Sequence, residues 1–262
     1  MTDIRNRAKE KLIADELCIG LGLRNTRTVD IGRVLATCGW DWAFIDMEHN
    51  SMGIDTAVQI SVACQDAGVT PIVRVPGYEH YLSTRVLDAG AMGIVFPHVD
   101  TPEQAARLVQ FCKYPPVGHR SVAGNMPQLN FQAHPLAEST KMVNENTLIV
   151  MMLESPQAID NAEAIAAVEG VDVLLIGSND LCMEMGIPAQ FDNPRLAEAM
   201  ATTVAACRKH GKFPGFGGVY DENLTRSFIA MGMRFVLGGG DLPLFMSAAT
   251  ARARFLRDLP LR

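Results

Sequence analysis

The chain has 262 residues, 48% of them hydrophobic and 20% charged, and a net charge of −6. That length and apolar content allow one large core, as an α/β barrel or as two smaller domains. The acidic balance, with an isoelectric point near 5.5, argues against nucleic acid as a partner, because phosphate binding needs a basic surface.

No apolar run approaches the roughly 20 residues that span a bilayer, so no membrane association is expected. The stretch from Met1 to Glu10 is charged and helical in character, without the apolar centre of a signal peptide. Six cysteines are scattered without C-x-x-C spacing, as expected of reduced thiols in a cytoplasmic protein.

In chain order, short apolar runs alternate with amphipathic helical stretches. Leu17–Leu23 predicts a strand followed by a helix over Thr28–Cys38, and Trp42–Asp46 one followed by Asp55–Ala67. Thr70–Arg74 precedes a helix over Tyr81–Ala89, and Gly93–Phe96 precedes one over Pro102–Cys112. In the second half, strands over Thr147–Leu153, Val171–Ile176, Phe213–Phe216 and Phe235–Gly238 pair with helices over Ser155–Val168, Pro194–His210, Glu222–Met231 and Asp241–Leu259. Pro102 and Pro194 suit a first helical turn, and Asp55 and Asp241 stand where an N-cap is expected.

Eight strand–helix pairs predict a (β/α)8 TIM barrel, a single domain over residues 1–262. A doubly wound open sheet is the alternative, weakened by the lack of a glycine-rich fingerprint after the first strand. The last helix, with its charged tail Arg252–Arg262, is long enough to pack on a neighbouring subunit. From Lys113 to Ala137 the rhythm breaks into a long proline-containing segment, a length typical of a functional loop.

Polar groups collect at the predicted C-terminal strand ends, where barrel enzymes build their sites. Ile149–Leu153 runs into Glu154, and Val171–Ile176 runs into Gly177-Ser-Asn-Asp180. A carboxylate ending a buried strand is costly unless paired or bound to a cation. Two of them, 26 residues apart on neighbouring parallel strands, suit a hard divalent ion; helix capping is the alternative. Arg74, inside an apolar strand between two prolines, reads either as a guanidinium meeting an oxyanion or as a structural ion pair. His49 follows Asp46 and Glu48 just beyond a strand, the setting of a proton-transfer group. His80, His98, His134 and His210 read as structural, and His119-Arg120 stays open between substrate contact and surface. Gly238–Gly240 before Asp241 reads as a tight turn rather than a phosphate cradle, and Cys182 as packing. No lysine stands at a predicted strand end, which disfavours Schiff-base chemistry.

Together these residues resemble the HpcH/HpaI family of metal-dependent pyruvate aldolases, whose members include 4-hydroxy-2-oxoheptanedioate, 2-keto-3-deoxyglucarate and 2-keto-3-deoxyrhamnonate aldolases. The similarity runs from Ile19 to Phe245. It rests on Trp42-x-Phe-Ile-Asp-Met-Glu-His49, Val73-Arg-Val-Pro76, Leu87-Asp-Ala-Gly90, Gly118-His-Arg120, Leu153-Glu154, Ile176-Gly-Ser-Asn-Asp-Leu181 and Gly186-Ile-Pro-Ala-Gln-Phe191.

The resemblance implies a (β/α)8 barrel, assembled as a hexamer or trimer with the C-terminal helix exchanged between subunits. It implies Glu154 and Asp180 as ligands of Mg²⁺, Mn²⁺ or Co²⁺, with no organic cofactor. Arg74 would face the keto oxygen of pyruvate, His49 would move the proton, Asp88 would orient His49, and Asp46 would lie near the metal site. Gly177 and Ser178 would hold the pyruvate carboxylate. The implied reaction is reversible cleavage of a 4-hydroxy-2-oxo acid to pyruvate and an aldehyde. The alternatives are an acyl-CoA lyase resembling citrate-lyase β subunits and a non-catalytic 2-keto acid binder. The chain departs from the family pattern at Met152, where members commonly carry glutamine, at Gly22, where many carry tryptophan, and at Gly177-Ser-Asn-Asp in place of the commoner Gly-Pro-x-Asp.

Overall fold

A computed structural model describes residues 4–260. Leu261, Arg262 and the segment 1–3, which belong to the two charged ends noted above, lie outside the described residues. Eight strands run through it: β1 (Cys18–Leu23), β2 (Trp42–Asp46), β3 (Thr70–Arg74), β4 (Gly93–Phe96), β5 (Leu148–Leu153), β6 (Val173–Gly177), β7 (Phe213–Gly217) and β8 (Phe235–Gly240). Each is hydrogen-bonded in parallel to the next, and β8 returns to β1, closing the barrel.

Alternation along the strands separates two cores. Trp42, Phe44, Ile72, Val95, Val150, Leu175 and Phe235 point inward and pack together. Their neighbours Ala43, Ile45, Val73, Ile94, Ile149, Leu174 and Val236 point outward beneath the helices. This is the period of two that a strand imposes. The indole of Trp42 stacks on Phe235 at 4.1 Å, and it fills the space beside Gly20, where a Cβ would lie 2.1 Å from the ring.

The helices are α1 (Arg7–Ile13), α2 (Ile31–Thr37), α3 (Ile54–Ala67), α4 (His80–Asp88), α5 (Pro102–Cys112), α6 (Leu136–Asn146), α7 (Pro156–Asp160), α8 (Ala162–Ala166), α9 (Ser178–Glu184), α10 (Pro194–His210), α11 (Glu222–Met231) and α12 (Asp241–Arg257). Helix α1 plugs the N-terminal end of the barrel: Ala8 and Leu12 join the interior cluster, and the Asn6 side chain donates to the carbonyls of Met92 and Asn146. Helix α5 starts from a capping box of Thr101 and Gln104 with Pro102 in the first turn. Helix α10 is capped by Asn193 and ends on Gly211 at φ +63°.

Several expectations need correction. The single helix expected over Ser155–Val168 is two, α7 and α8, broken at Asn161, whose side chain donates to the Asp100 carbonyl at 2.7 Å. Gly53 precedes α3, so Asp55 lies in its first turn rather than capping it. Gly240 precedes α12, so Asp241 is already helical, and Gly238–Gly240 belong to β8 rather than to a turn. The long segment after α5 holds a short 3-10 turn at Pro127–Leu129 and leads into α6, an element the sequence pattern did not reveal. Among the described residues no helix is long and apolar enough to cross a membrane.

Candidate active site

The C-terminal ends of the strands surround a cavity of about 290 Å³ lined, among others, by Arg24, His49, Arg74, Glu154, Ser178 and Asp180. The fully buried Asp46 is its anchor. Strand register sets Asp46 directly beside Arg74, and the guanidinium grips the carboxylate as a fork, Nε to Oδ1 at 3.0 Å and Nη2 to Oδ2 at 2.7 Å. Burial pushes the Asp46 carboxyl up, but the hydrogen bonds and charge of Arg74, with Arg24 beyond, outweigh it and hold the group below the ordinary carboxylate range. Arg74 also lies 2.9 Å from Glu48 Oε2 through Nη1, and over the Phe44 ring at 5.0 Å. Arg74 is thus ion-paired, and it also lines the cavity.

Glu154, only 2% exposed, follows β5, where Ser155 rather than Glu154 caps α7. Its Oε2 accepts the backbone N–H of His98 at 2.9 Å. Burial, with a smaller push from the nearby Asp180, raises its carboxyl to about 7 against the pull of that N–H. Asp180 sits in the first turn of α9, with Gly177 at the cap position. Neither carboxylate therefore acts as an N-cap. At Gly177 a Cβ would lie 2.4 Å from Glu154 Oε1, so the glycine makes the room that this carboxylate occupies. The Ser178 hydroxyl is buried and has no hydrogen-bond partner.

This donor set fits a hard divalent cation. It offers two carboxylates in one cavity, one of them deeply buried, and no thiolate. Among the described residues no three His, Cys, Asp or Glu side chains gather into a metal cluster, which leaves the remaining positions to substrate and water oxygens. No lysine lines the cavity.

The acid beside the His49 imidazole is Glu48, 3.8 Å away. Asp88 is elsewhere: it accepts from Arg120 Nη2 at 2.6 Å and borders a separate surface hollow with Arg85 and Ile54. The expectation that Asp88 orients His49 is thus not met within one chain. Arg120 faces Asp88 and stacks on Tyr114, and His119 is exposed, so neither lines the cavity. His98, read as structural, instead stands at φ +51° with Nδ1 3.5 Å from Glu154. Met152 places its sulfur, a weak acceptor, 3.9 Å from Arg74 Nη1. Burial pushes the Cys182 thiol up, in keeping with packing rather than nucleophilic chemistry.

Sequence reasoning missed Arg24, Asn179 and Tyr220, all of which line the cavity. Arg24 lies in the loop after β1, and its Nε donates to Asp46 Oδ2 at 2.7 Å. Nothing in the local sequence around it announces that contact.

The chain matches the HpcH/HpaI aldolase/citrate lyase family over residues 25–248. It is 38% identical to a 4-hydroxy-4-methyl-2-oxoglutarate aldolase of Hapsidospora irregularis, with 100% of this chain and 98% of the relative covered. It is 34% identical to a 5-keto-4-deoxy-D-glucarate aldolase of Klebsiella pneumoniae, covering 93% of each. The crystal structure of an HpcH/HpaI aldolase from Desulfitobacterium hafniense superposes with a TM-score of 0.92 at 28% identity, covering 98% of both chains. Barrel and sequence agree, and the chain belongs to the HpcH/HpaI aldolase/citrate lyase family.

Proposed function

We propose that this protein is a carbon–carbon lyase that reversibly cleaves a 4-hydroxy-2-oxo acid to pyruvate and an aldehyde or oxo acid, with Glu154 and Asp180 holding Mg²⁺, Mn²⁺ or Co²⁺. The observation that carries this reading is the carboxylate pair across the cavity from a buried arginine, with no lysine available for a Schiff base. When bound, the metal supplies Lewis-acid polarisation of the 2-oxo group.

The rest falls to this chain's side chains. Arg74, fixed by Asp46, adds positive charge where the C2 oxygen becomes an enolate. Ser178, with its unpartnered hydroxyl, and the backbone at Gly177 receive the pyruvate carboxylate. His49 takes the C4 hydroxyl proton as the C3–C4 bond breaks and its electron pair moves onto the C2 oxygen, and the proton then returns at C3 to give pyruvate. Within one chain the acid beside His49 is Glu48, at 3.8 Å and without a hydrogen bond between them. Asp88, held by Arg120 outside this cavity, would serve a His49 only on a neighbouring copy.

The same reading makes the chain one catalytic domain of a cytoplasmic homo-oligomer, hexamer or trimer. Six free cysteines suit a reducing compartment, and α12, with no buried residue, suits packing on a second copy.

The test is pyruvate release from a racemic 4-hydroxy-2-oxo acid by EDTA-stripped protein, with and without each metal, beside Glu154→Ala. Activity restored by metal in the wild type but not in the variant is the expected result. Folded protein without activity in any metal would overturn the proposal.

A further inference from the structure

The cavity has a deep end and a rim, and they differ in chemistry. Arg74, Glu154 and Ser178 at the deep end are buried. At the rim stand His49 and Arg24, with side chains 50% and 51% exposed. The donor half of an aldol substrate is held at the deep end in the reading above, so the carbonyl half must leave past the rim.

Arg24 is not an ordinary half-exposed arginine. Its loop is clasped from the far end of the chain: the Asp241 carboxylate accepts the backbone N–H groups of Arg24, Asn25 and Thr26, the last two at 2.8 and 2.7 Å. Its head group is fixed as well, by the Nε contact to Asp46. Asp46 has no need of it for charge, because Arg74 already grips both carboxylate oxygens. The contact therefore orients Arg24 more than it neutralises Asp46. It uses one of five N–H donors, and the four on Nη1 and Nη2 have no protein acceptor among the described residues. A guanidinium anchored at both ends, with its outer edge free, is pre-organised for a planar anion.

We propose that Arg24 is a specificity-determining residue that binds a carboxylate on the carbonyl half of the substrate. The preferred substrates are then 4-hydroxy-2-oxo diacids, which cleave to pyruvate and an oxo acid. Asp241 is the positioning residue that sets the Arg24 loop. This inference rests on the aldol reading of the site.

The test compares racemic 4-hydroxy-2-oxoglutarate, which yields pyruvate and glyoxylate, with 4-hydroxy-2-oxopentanoate, which yields pyruvate and acetaldehyde. Pyruvate is quantified by chromatography for the Mn²⁺-loaded wild type, Arg24→Gln and Arg24→Lys. The wild type should favour the diacid by about tenfold or more in kcat/KM, a discrimination expected where a site is built to pair a polar group. Arg24→Gln should erase that ratio, chiefly through KM for the diacid, and Arg24→Lys should recover part of it. A wild type without preference overturns the inference. So does an Arg24→Gln variant that lowers both substrates equally, since Arg24 would then act only through Asp46 and Arg74. If the wild type releases pyruvate from neither substrate, the aldolase reading itself fails, and this inference with it.

Discussion

At Gly177 the missing side chain is the functional feature. A Cβ there would lie 2.4 Å from Glu154 Oε1 and 2.7 Å from its Cγ, so Gly177→Ala forces the buried carboxylate to move. Overpacking of this kind costs about 1–3 kcal/mol of stability, which leaves a protein of this size folded. The larger effect is expected on the cation: Mn²⁺ affinity by calorimetry should fall by about tenfold or more, the size of loss typical when a ligand's support is disturbed. An alanine variant binding Mn²⁺ like the wild type would show that Glu154 can relax without cost.

Asp46 makes the second prediction at this scale. Replacing it by alanine strands Arg74 and removes the Nε partner of Arg24, and breaking a buried pair in this way costs about 3–5 kcal/mol. The pH dependence has a definite sign. Arg74 holds the folded-state carboxyl below its ordinary value despite burial. The Asp46 contribution is therefore fully present above the unfolded value, about 3.9 for an aspartate, and is lost as pH falls through the lower folded value. In urea titrations the gap between wild type and Asp46→Ala should stay constant near neutrality and close only in acid. A gap that widens on acidification would refute this role.

Between elements, packing imposes the same economy. Gly20 on β1 cedes its interior place to the Trp42 indole, which in turn stacks on Phe235 of β8. Gly20→Ala should therefore destabilise the barrel by about 1–3 kcal/mol, read as a lower midpoint in urea, while Mn²⁺ binding at the other end of the barrel stays intact. An unchanged midpoint would mean that Trp42 has another rotamer available.

This is also the scale at which the sequence was most legible. Strands β2, β3 and β4 and helices α5, α10 and α11 fall where periodicity and capping residues put them, because an apolar run with a polar stop at its end encodes its own boundary. Helix α6 escaped because only Ser139 and Val143 of its 11 residues are buried, too few to impose a helical period. Helix α9 escaped because its 7 residues begin directly after β6. At the site, the strand-end residues Asp46, Arg74 and Glu154 were visible as charges in apolar runs. Arg24 was not: its placement depends on Asp241, more than 200 positions away, and no local pattern carries a contact of that span. The Asp88–Arg120 pair was hidden for a related reason, since Arg120 lies in a segment without periodicity.

Helix α12 is the feature that one copy of the chain does not explain. None of its 17 residues is buried, yet it displays Leu242, Leu244, Phe245, Met246, Phe255 and Leu256, with Phe245 69% exposed. Such an apolar surface on a 17-residue helix gives little reason for the helix to persist in water unless something covers it. A second copy of the chain is the occupant proposed above. Phe245→Glu combined with Leu256→Glu should then lower the mass seen by sedimentation equilibrium, while a wild type that sediments as a monomer at micromolar concentration would remove the argument. The same helix begins at Asp241, whose carboxylate holds the loop bearing Arg24. Loss of assembly should therefore reach the cavity: the dissociated variant should bind a diacid more weakly, with its barrel and the cation site proposed at Glu154 and Asp180 unchanged. Dissociation without any change in diacid KM would show that the clasp holds by itself, and that the arm serves assembly alone.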